Sequence, residues 1–294
     1  MKFPLASTRE AYGKTLVELG RRFPHLVVVD ADLNRSTMTR YFAQEFPHRF
    51  FDVGIAEQNM MSLAAGLAST GKIVFASTFA IFATAKAFDQ IRMGIAQPGL
   101  NVKIVATHGG ISVGEDGFSH HAIEDLALMG SFPGFTIVVP ADAPEAVQAV
   151  EAAALAQGPF YIRLSRPPTP VVHPPGFTFK LGQAERMREG NDATIIACGI
   201  MVAEALEAAA SLAREGIECR VLNMSTVKPV DEGAIIEAAR ETGAIVVAEE
   251  HLQHGGLGSR VAQVVAENCP LPMAFIAIKD TYARSGKAEE LLEK

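Results

Sequence analysis

Cysteine is scarce in this chain of 294 residues: Cys198, Cys219 and Cys269 lie far apart, and no CxxC pair occurs. An odd set without metal-ligand spacing excludes a disulfide framework and reads as reduced core thiols of a cytosolic protein. No apolar run approaches the roughly 20 residues needed to span a bilayer, so no transmembrane helix is expected. The opening MKFPLASTREAYGKTL lacks a charged head followed by an uninterrupted apolar stretch, which argues against a secretory signal. Basic residues are outnumbered, and the formal net charge is −7. A nucleic-acid or anionic-membrane surface would favour clustered Lys and Arg, so neither partner is expected. No HxH or HExxH pattern, internal repeat or low-complexity tail is present. What is there, 49% hydrophobic and 20% charged residues, suits a soluble cytoplasmic protein long enough for two ordinary domains.

Short β-branched runs recur between helical segments. The clearest are 26–30 (LVVVD), 72–77, 101–108, 136–141 and 160–165, followed by 193–199, 218–225, 244–250 and 272–279. Near-continuous apolar strands of this kind belong to sheets covered on both faces, hence parallel or mostly parallel. Ser7-x-x-Glu10 can form a capping box, Asp142 can cap the alanine-rich helix that runs to Gly158, and Gly216 ends another helix. The expected fold class is therefore α/β, with two domains, each a mostly parallel sheet flanked by helices. The run Arg166-Pro-Pro-Thr-Pro-Val-Val-His-Pro-Pro-Gly176 suits neither a helix nor a central strand. It marks a linker at 169–182 between a first domain at 1–168 and a second at 183–294.

The most informative segment is Phe51-Asp-Val-Gly-Ile-Ala-Glu-Gln-Asn59, which continues Met-Met-Ser-Leu-Ala-Ala-Gly-Leu-Ala68. Glu57 opens an apolar, small-residue helix. A helix-start glutamate favoured by the macrodipole is one explanation. Its apolar surroundings offer another: burial and the helix terminus push its pKa in opposite directions, which suits a carboxyl that shares a proton with a ligand. Phe79 and Phe82 are expected at i and i+3 on one helix face, where plain core packing is the competing explanation. His108, Asp116 and His120 gather on a glycine-rich loop after a strand end; a metal site would compete there, but adjacent His120 and His121 point apart. In the second domain, His251-Leu-Gln-His-Gly-Gly-Leu-Gly-Ser-Arg260 lacks full G-x-G-x-x-G spacing and reads as tight strand-to-helix packing.

These motifs together carry a resemblance. GIAEQNMMSLAAGLA is similar to the segment around the glutamate of the pyrimidine domain in thiamine diphosphate enzymes. Ser77-Thr-Phe-Ala-Ile-Phe82 and Thr107-His-Gly-Gly-Ile-Ser-Val-Gly-Glu-Asp-Gly-Phe-Ser-His120 narrow it to the transketolases. The likeness runs from about Ser7 to Arg166 and more loosely through the second domain. It implies a transferase that moves a two-carbon ketol unit from a ketose phosphate to an aldose phosphate, as in the pentose phosphate pathway. Glu57 would hydrogen-bond N1′ of the cofactor's aminopyrimidine, Phe82 would stack on that ring, Phe79 would wall the pocket, and Asp32 would approach the thiazolium side. Where some transketolases place a tyrosine, this chain has Ala85. Asp116 and His120 would contact the donor ketose, and His108, Arg9, Ser36 and Arg166 would bind the sugar phosphate end; His121 is left without a role. The second domain resembles the carboxy-terminal transketolase domain, expected to be structural and to serve dimerisation.

Transketolases anchor the diphosphate through Mg²⁺ held by a Gly-Asp-Gly motif, and no Gly-Asp-Gly occurs in this chain. The resemblance therefore implies no metal ligands here and a split enzyme. A partner polypeptide would carry the diphosphate and Mg²⁺ site, two copies of each would assemble as α2β2, and catalysis would need both. A 2-oxo acid dehydrogenase beta subunit and a fragment of deoxyxylulose-phosphate synthase share the GIAEQ-like glutamate, and a non-catalytic binding module is a third alternative. The His108–His120 loop favours transketolase over these.

Overall fold

The computed structural model describes residues 3–293. Its first sheet has seven strands in the order Thr226–Lys228, Thr136–Val138, Phe160–Arg163, Val102–Thr107, Ile73–Phe79, Leu26–Asp30 and Phe50–Asp52. All neighbours pair in parallel except Thr226–Lys228, an antiparallel edge that arrives from the second half of the chain. The LVVVD strand shows why continuous apolar runs suit this sheet. Val27 and Val29 pack with Met60, Met61 and Ala64 on one face, while Leu26 and Val28 pack with Tyr12, Leu16 and Phe75 on the other. Alternate side chains of one strand thus feed two cores.

The second sheet has the order Met273–Ile278, Ile245–Leu252, Ala193–Ala197, Cys219–Asn223 and Glu185–Arg188, parallel but for the last strand. The fold is thus α/β, with mostly parallel sheets flanked by helices in two domains. Phe50–Asp52, Glu185–Arg188 and Thr226–Lys228 were not expected from sequence; each has only three or four residues and sits at a sheet edge. Cys198 and Cys219 are buried free thiols. Among the described residues no helix is long and apolar enough to cross a membrane.

Capping follows the sequence in part. The Ser7 hydroxyl accepts from the Glu10 N–H at 3.3 Å, but the Glu10 carboxylate pairs forward with Lys14 at 2.7 Å. Asp142 caps the helix Ala143–Leu155 by accepting from the Glu145 N–H at 3.0 Å. Its other oxygen accepts from the N–H groups of Val172 and His173, at 2.8 and 2.9 Å, which ties the proline-rich stretch to the first domain. Within that stretch Thr169–Pro170 pairs with Leu5–Ala6 in a two-stranded antiparallel ribbon.

The two domains are held together by buried charge. Arg163, at the end of its strand, lies 3.2 Å from Asp125 and donates to the carbonyls of Ala122 and Glu250 at 3.0 and 2.8 Å. Tyr161 donates to the same Asp125 at 2.6 Å. Glu250 belongs to the second domain, yet its carboxylate accepts the Ser112 N–H. It thereby reaches the loop that carries Asp116 and His120. Gly110, at φ 78°, packs directly on that carboxyl: a Cβ there would lie 2.1 Å from its carbon. The carboxy-terminal segment closes on the same loop, with Ser285 against Gly117. Elsewhere in the domain the Glu249 carboxylate accepts from the N–H groups of Leu257 and Gly258 at 2.7 and 2.8 Å. An internal carboxylate thus fills the helix start in the glycine-rich 251–260 segment, where a nucleotide phosphate would otherwise bind.

Two outcomes follow from this architecture. Gly110→Ala should lower stability by about 2–4 kcal/mol, because a side chain meets both a left-handed backbone and the Glu250 carboxyl; a wild-type denaturation midpoint would show that Glu250 is not seated there. The second concerns Asp30, whose carboxylate accepts from Leu33 N–H and the hydroxyls of Thr37 and Thr39 at 2.7, 2.7 and 2.8 Å. Burial nevertheless pushes its pKa up to about 6. A folded pKa above the unfolded value near 3.9 gives stability that is present in acid and lost as pH rises through about 6. Between pH 7.5 and 4.5 the wild type should gain about 2 kcal/mol relative to Asp30→Asn. Denaturant melts of both proteins at the two pH values check this, and parallel pH profiles would refute it.

Candidate active site at the carboxyl ends of the first sheet

Because its main strands run parallel, the first sheet delivers its carboxyl ends to one side, the usual binding edge of open α/β sheets. Asp30, Phe79, Thr107 and Arg163 end four adjacent strands there. The next residues include Asp32 and His108, which adopt left-handed φ values of 63° and 61° although neither is glycine. Such conformations cost free energy and persist only where surrounding structure holds them, often at functional sites. His108 is held by packing and bonding: its ring stacks on Phe79 at 3.7 Å between centroids, and Thr107 Oγ1 lies 2.8 Å from Nδ1.

Glu57 opens the helix Glu57–Ser69 with its side chain only 3% exposed. Its Oε2 accepts a hydrogen bond from the Lys86 Nζ at 2.6 Å, and that ammonium also lies 5.0 Å from the Phe82 ring centroid. Nothing in the sequence singles out Lys86. It becomes visible only because residues Phe82–Lys86 form a wide turn of i→i+5 type, which carries Lys86 toward Glu57.

The aromatic expectation needs one correction. Phe79 is not on a helix: it is the last residue of the strand Ile73–Phe79, which is buried throughout, and Phe82 opens the turn beyond it. Two-sided burial in the sheet outweighs the helical spacing. The two rings still stack, at 5.7 Å and an interplanar angle of 16°. His120 stands edge-on to both, 5.3 Å from Phe82 and 6.3 Å from Phe79, with Ser119 Oγ 2.9 Å from its Nδ1. His121 points the other way, buried, with Nε2 3.0 Å from the Gly114 carbonyl, and so supports the loop.

A basic group borders this aromatic wall. Arg9 donates to the carbonyls of Ser36 and Arg166 at 2.6 and 2.8 Å. Arg166 in turn donates to the Val113 carbonyl and lies 3.4 Å from the Asp116 carboxylate. It is the Ser36 carbonyl, rather than its hydroxyl, that positions Arg9. Burial first, then the charges of Arg9 and Arg166, hold the His108 pKa down to about 3. That imidazole is therefore neutral at any working pH. Asp32 lies on an exposed loop at the same edge, where its N–H donates to Asp52 at 3.0 Å.

The structure thus joins Phe82, Phe79, His120 and His108 through successive ring contacts, links Glu57 to Phe82 by way of Lys86, and sets Arg9, Ser36, Arg166 and Asp116 beside them. The buried acceptor of Glu57 and the Phe82 face fit a flat, protonatable ring; the two guanidiniums fit an anionic group. Among the described residues no three His, Cys, Asp or Glu side chains gather as a metal site.

Comparison with known proteins identifies the family of both domains. The family model described as "Transketolase, pyrimidine binding domain" matches residues 5–171, and "Transketolase, C-terminal domain" matches residues 182–294. A Methanocaldococcus jannaschii protein named as a transketolase C-terminal section is 46% identical over 288 residues, covering 97% of this chain and 90% of that one. The 6-deoxy-6-sulfo-D-fructose transketolase subunit SqwH of Clostridium sp. (strain MSTE9) is 42% identical over 286 residues, covering 97% and 89%. A solved structure described as a split gene transketolase, inactive beta4 tetramer, is 52% identical with a TM-score of 0.91, covering 98% of this chain and 92% of that chain. With both domains matched in order and relatives of similar length sharing nearly half of its residues, this chain belongs to the transketolase family.

Proposed function

We propose that the chain is the pyrimidine-binding subunit of a split, thiamine diphosphate-dependent transketolase. The observation that carries this reading is the buried Glu57 carboxylate beside the Phe82 ring. When bound, thiamine diphosphate supplies an electron sink for breaking the carbon–carbon bond next to a ketose carbonyl. This chain's part is to hold a proton between Glu57 and N1′ of the aminopyrimidine, with Phe82 on the ring face and Phe79 behind it. Asp32 would border the thiazolium side. Ala85 leaves one side of the pocket open.

Asp116 and His120, beside Phe82 and Arg166, would hold the hydroxyls of the donor sugar. Arg9 and Arg166 would take the sugar's anionic end as paired guanidiniums, with Ser36 nearby. His108, neutral and engaged by Thr107 through Nδ1, would present Nε2 to a hydroxyl or phosphate oxygen. The SqwH relative is named for a ketose with a sulfo group, a terminal anion of the same kind as a phosphate. We take a ketose phosphate as donor and an aldose phosphate as acceptor. The linker 169–182 would separate the two domains, 1–168 and 183–294.

The lack of Gly-Asp-Gly and the relatives named as a C-terminal section, a subunit and a split-gene protein support a partner chain that holds Mg²⁺ and the diphosphate. The split-gene relative is described as inactive in its beta4 form, which fits an activity that requires a second kind of subunit, as in α2β2.

The test is reconstitution with a Gly-Asp-Gly-bearing partner, thiamine diphosphate, Mg²⁺, xylulose 5-phosphate and ribose 5-phosphate. Ketol transfer should require both chains. Glu57→Gln should cut it by at least about a thousandfold with the circular dichroism spectrum unchanged, and wild-type turnover in that variant would sink the assignment. Arg9→Met should raise KM for xylulose 5-phosphate by about tenfold or more while leaving turnover of unphosphorylated xylulose nearly unchanged. An equal loss on both donors would remove Arg9 from the phosphate site.

A further inference from the structure

Lys86 reaches the buried Glu57 carboxylate from outside. Its side chain is 47% exposed against 3% for Glu57, and the Nζ–Oε2 distance is 2.6 Å. The same ammonium faces Phe82, 5.0 Å from the ring centroid, within the range of a cation–π contact. One lysine head thus satisfies both features that a docked aminopyrimidine would use, a bond to Glu57 and the face of Phe82. A ring and this ammonium cannot fill that place together.

The local backbone is built for this arrangement. Lys86 ends the wide turn Phe82–Lys86, a rare i→i+5 geometry that recurs at functional sites. Its neighbour Ala85 is small and exposed, so no bulky side chain blocks the route to solvent. A lysine stem with four carbons can swap its strongly hydrated head between carboxylate and water. The buried carboxylate, in turn, needs a countercharge whenever no ring is present, since an unpaired buried charge is strongly destabilising.

We propose that Lys86 is a placeholder in the pyrimidine pocket: it neutralises Glu57 and covers Phe82 in the free chain, and it swings to solvent when the ring docks. This rests on the pocket reading given above. The consequence is a lowered apparent affinity, because ring binding is weakened by the fraction of chains in which Lys86 has already left.

The experiment titrates 4-amino-5-hydroxymethyl-2-methylpyrimidine into the full chain alone by calorimetry, using wild type, Lys86→Met, Lys86→Gln and Glu57→Gln. Lys86→Met should bind about tenfold more tightly than wild type, the size of one charge-assisted hydrogen bond. Lys86→Gln should shift the same way by less, which keeps the test open if the methionine variant fails to fold. Raising salt should tighten binding to the wild type, by screening the half-exposed pair, and leave Lys86→Met unmoved. If neither Lys86 variant binds more tightly while Glu57→Gln abolishes binding, the placeholder is wrong and the pocket stands. If no form binds, both the placeholder and the location of the ring pocket on this chain are overturned. Normal ring binding with no ketol transfer on reconstitution would instead refute the reaction and leave the role of Lys86 intact.

Discussion

The Arg163 guanidinium is the point on which the two domains and the site depend. It is buried, lies against Asp125, and donates to carbonyls of both the 109–122 loop and the second domain. A charge in that position tolerates no half-measures: removing one partner from a buried pair typically costs about 3–5 kcal/mol, because the other is left uncompensated. Asp125, Tyr161, Ala122 and Glu250 must therefore stay in register. With them stays the loop that carries Asp116 and His120. Glu250 extends the constraint by bonding the loop's backbone at Ser112. The second domain, expected to be structural and to serve dimerisation, thus reaches the site loop through Glu250.

Against that rigid frame, the site's electrostatics divide into two regions. Around Glu57 a buried carboxylate meets one half-exposed ammonium. Around His108 burial first, and then the charges of two nearby guanidiniums, keeps the imidazole neutral. A cationic histidine there would add to the positive charge of Arg9 and Arg166. A neutral one offers a directional hydrogen bond and leaves charge attraction to the arginines. The stacked Phe79 and Phe82 rings lie between the two regions, so the carboxylate–ammonium pair and the guanidinium–imidazole group do not share partners.

Much of this was legible in the sequence, and the limits are physical. The run LVVVD read correctly as a strand because two-sided burial favours apolar residues along it, whereas of the expected strand at 136–141 only Thr136–Val138 pairs in the sheet. Glu57 stood out because a carboxylate amid apolar residues is unusual, and the structure does bury it. Phe79 was placed on a helix because i, i+3 spacing fits one; the strand extends to it because its neighbours on both sides are sheet strands, which local spacing cannot show. The three- and four-residue edge strands are too short to show a period. Lys86 and Glu250 gave no signal either. One depends on a wide turn and the other on a contact 138 residues away.

The same geometry decides which groups the site brings together. A parallel sheet presents one edge, and here that edge holds a buried acceptor, two aromatic faces, a neutral imidazole and two guanidiniums. These groups suit a ring and an anionic sugar end. Among the described residues no three His, Cys, Asp or Glu side chains gather as a metal site beside them. Within this chain Lys86 pairs Glu57, and the carbonyls of Ser36 and Arg166 accept from Arg9. The charges at the site thus have partners inside the chain, which matters because a buried charge left unpaired is strongly destabilising.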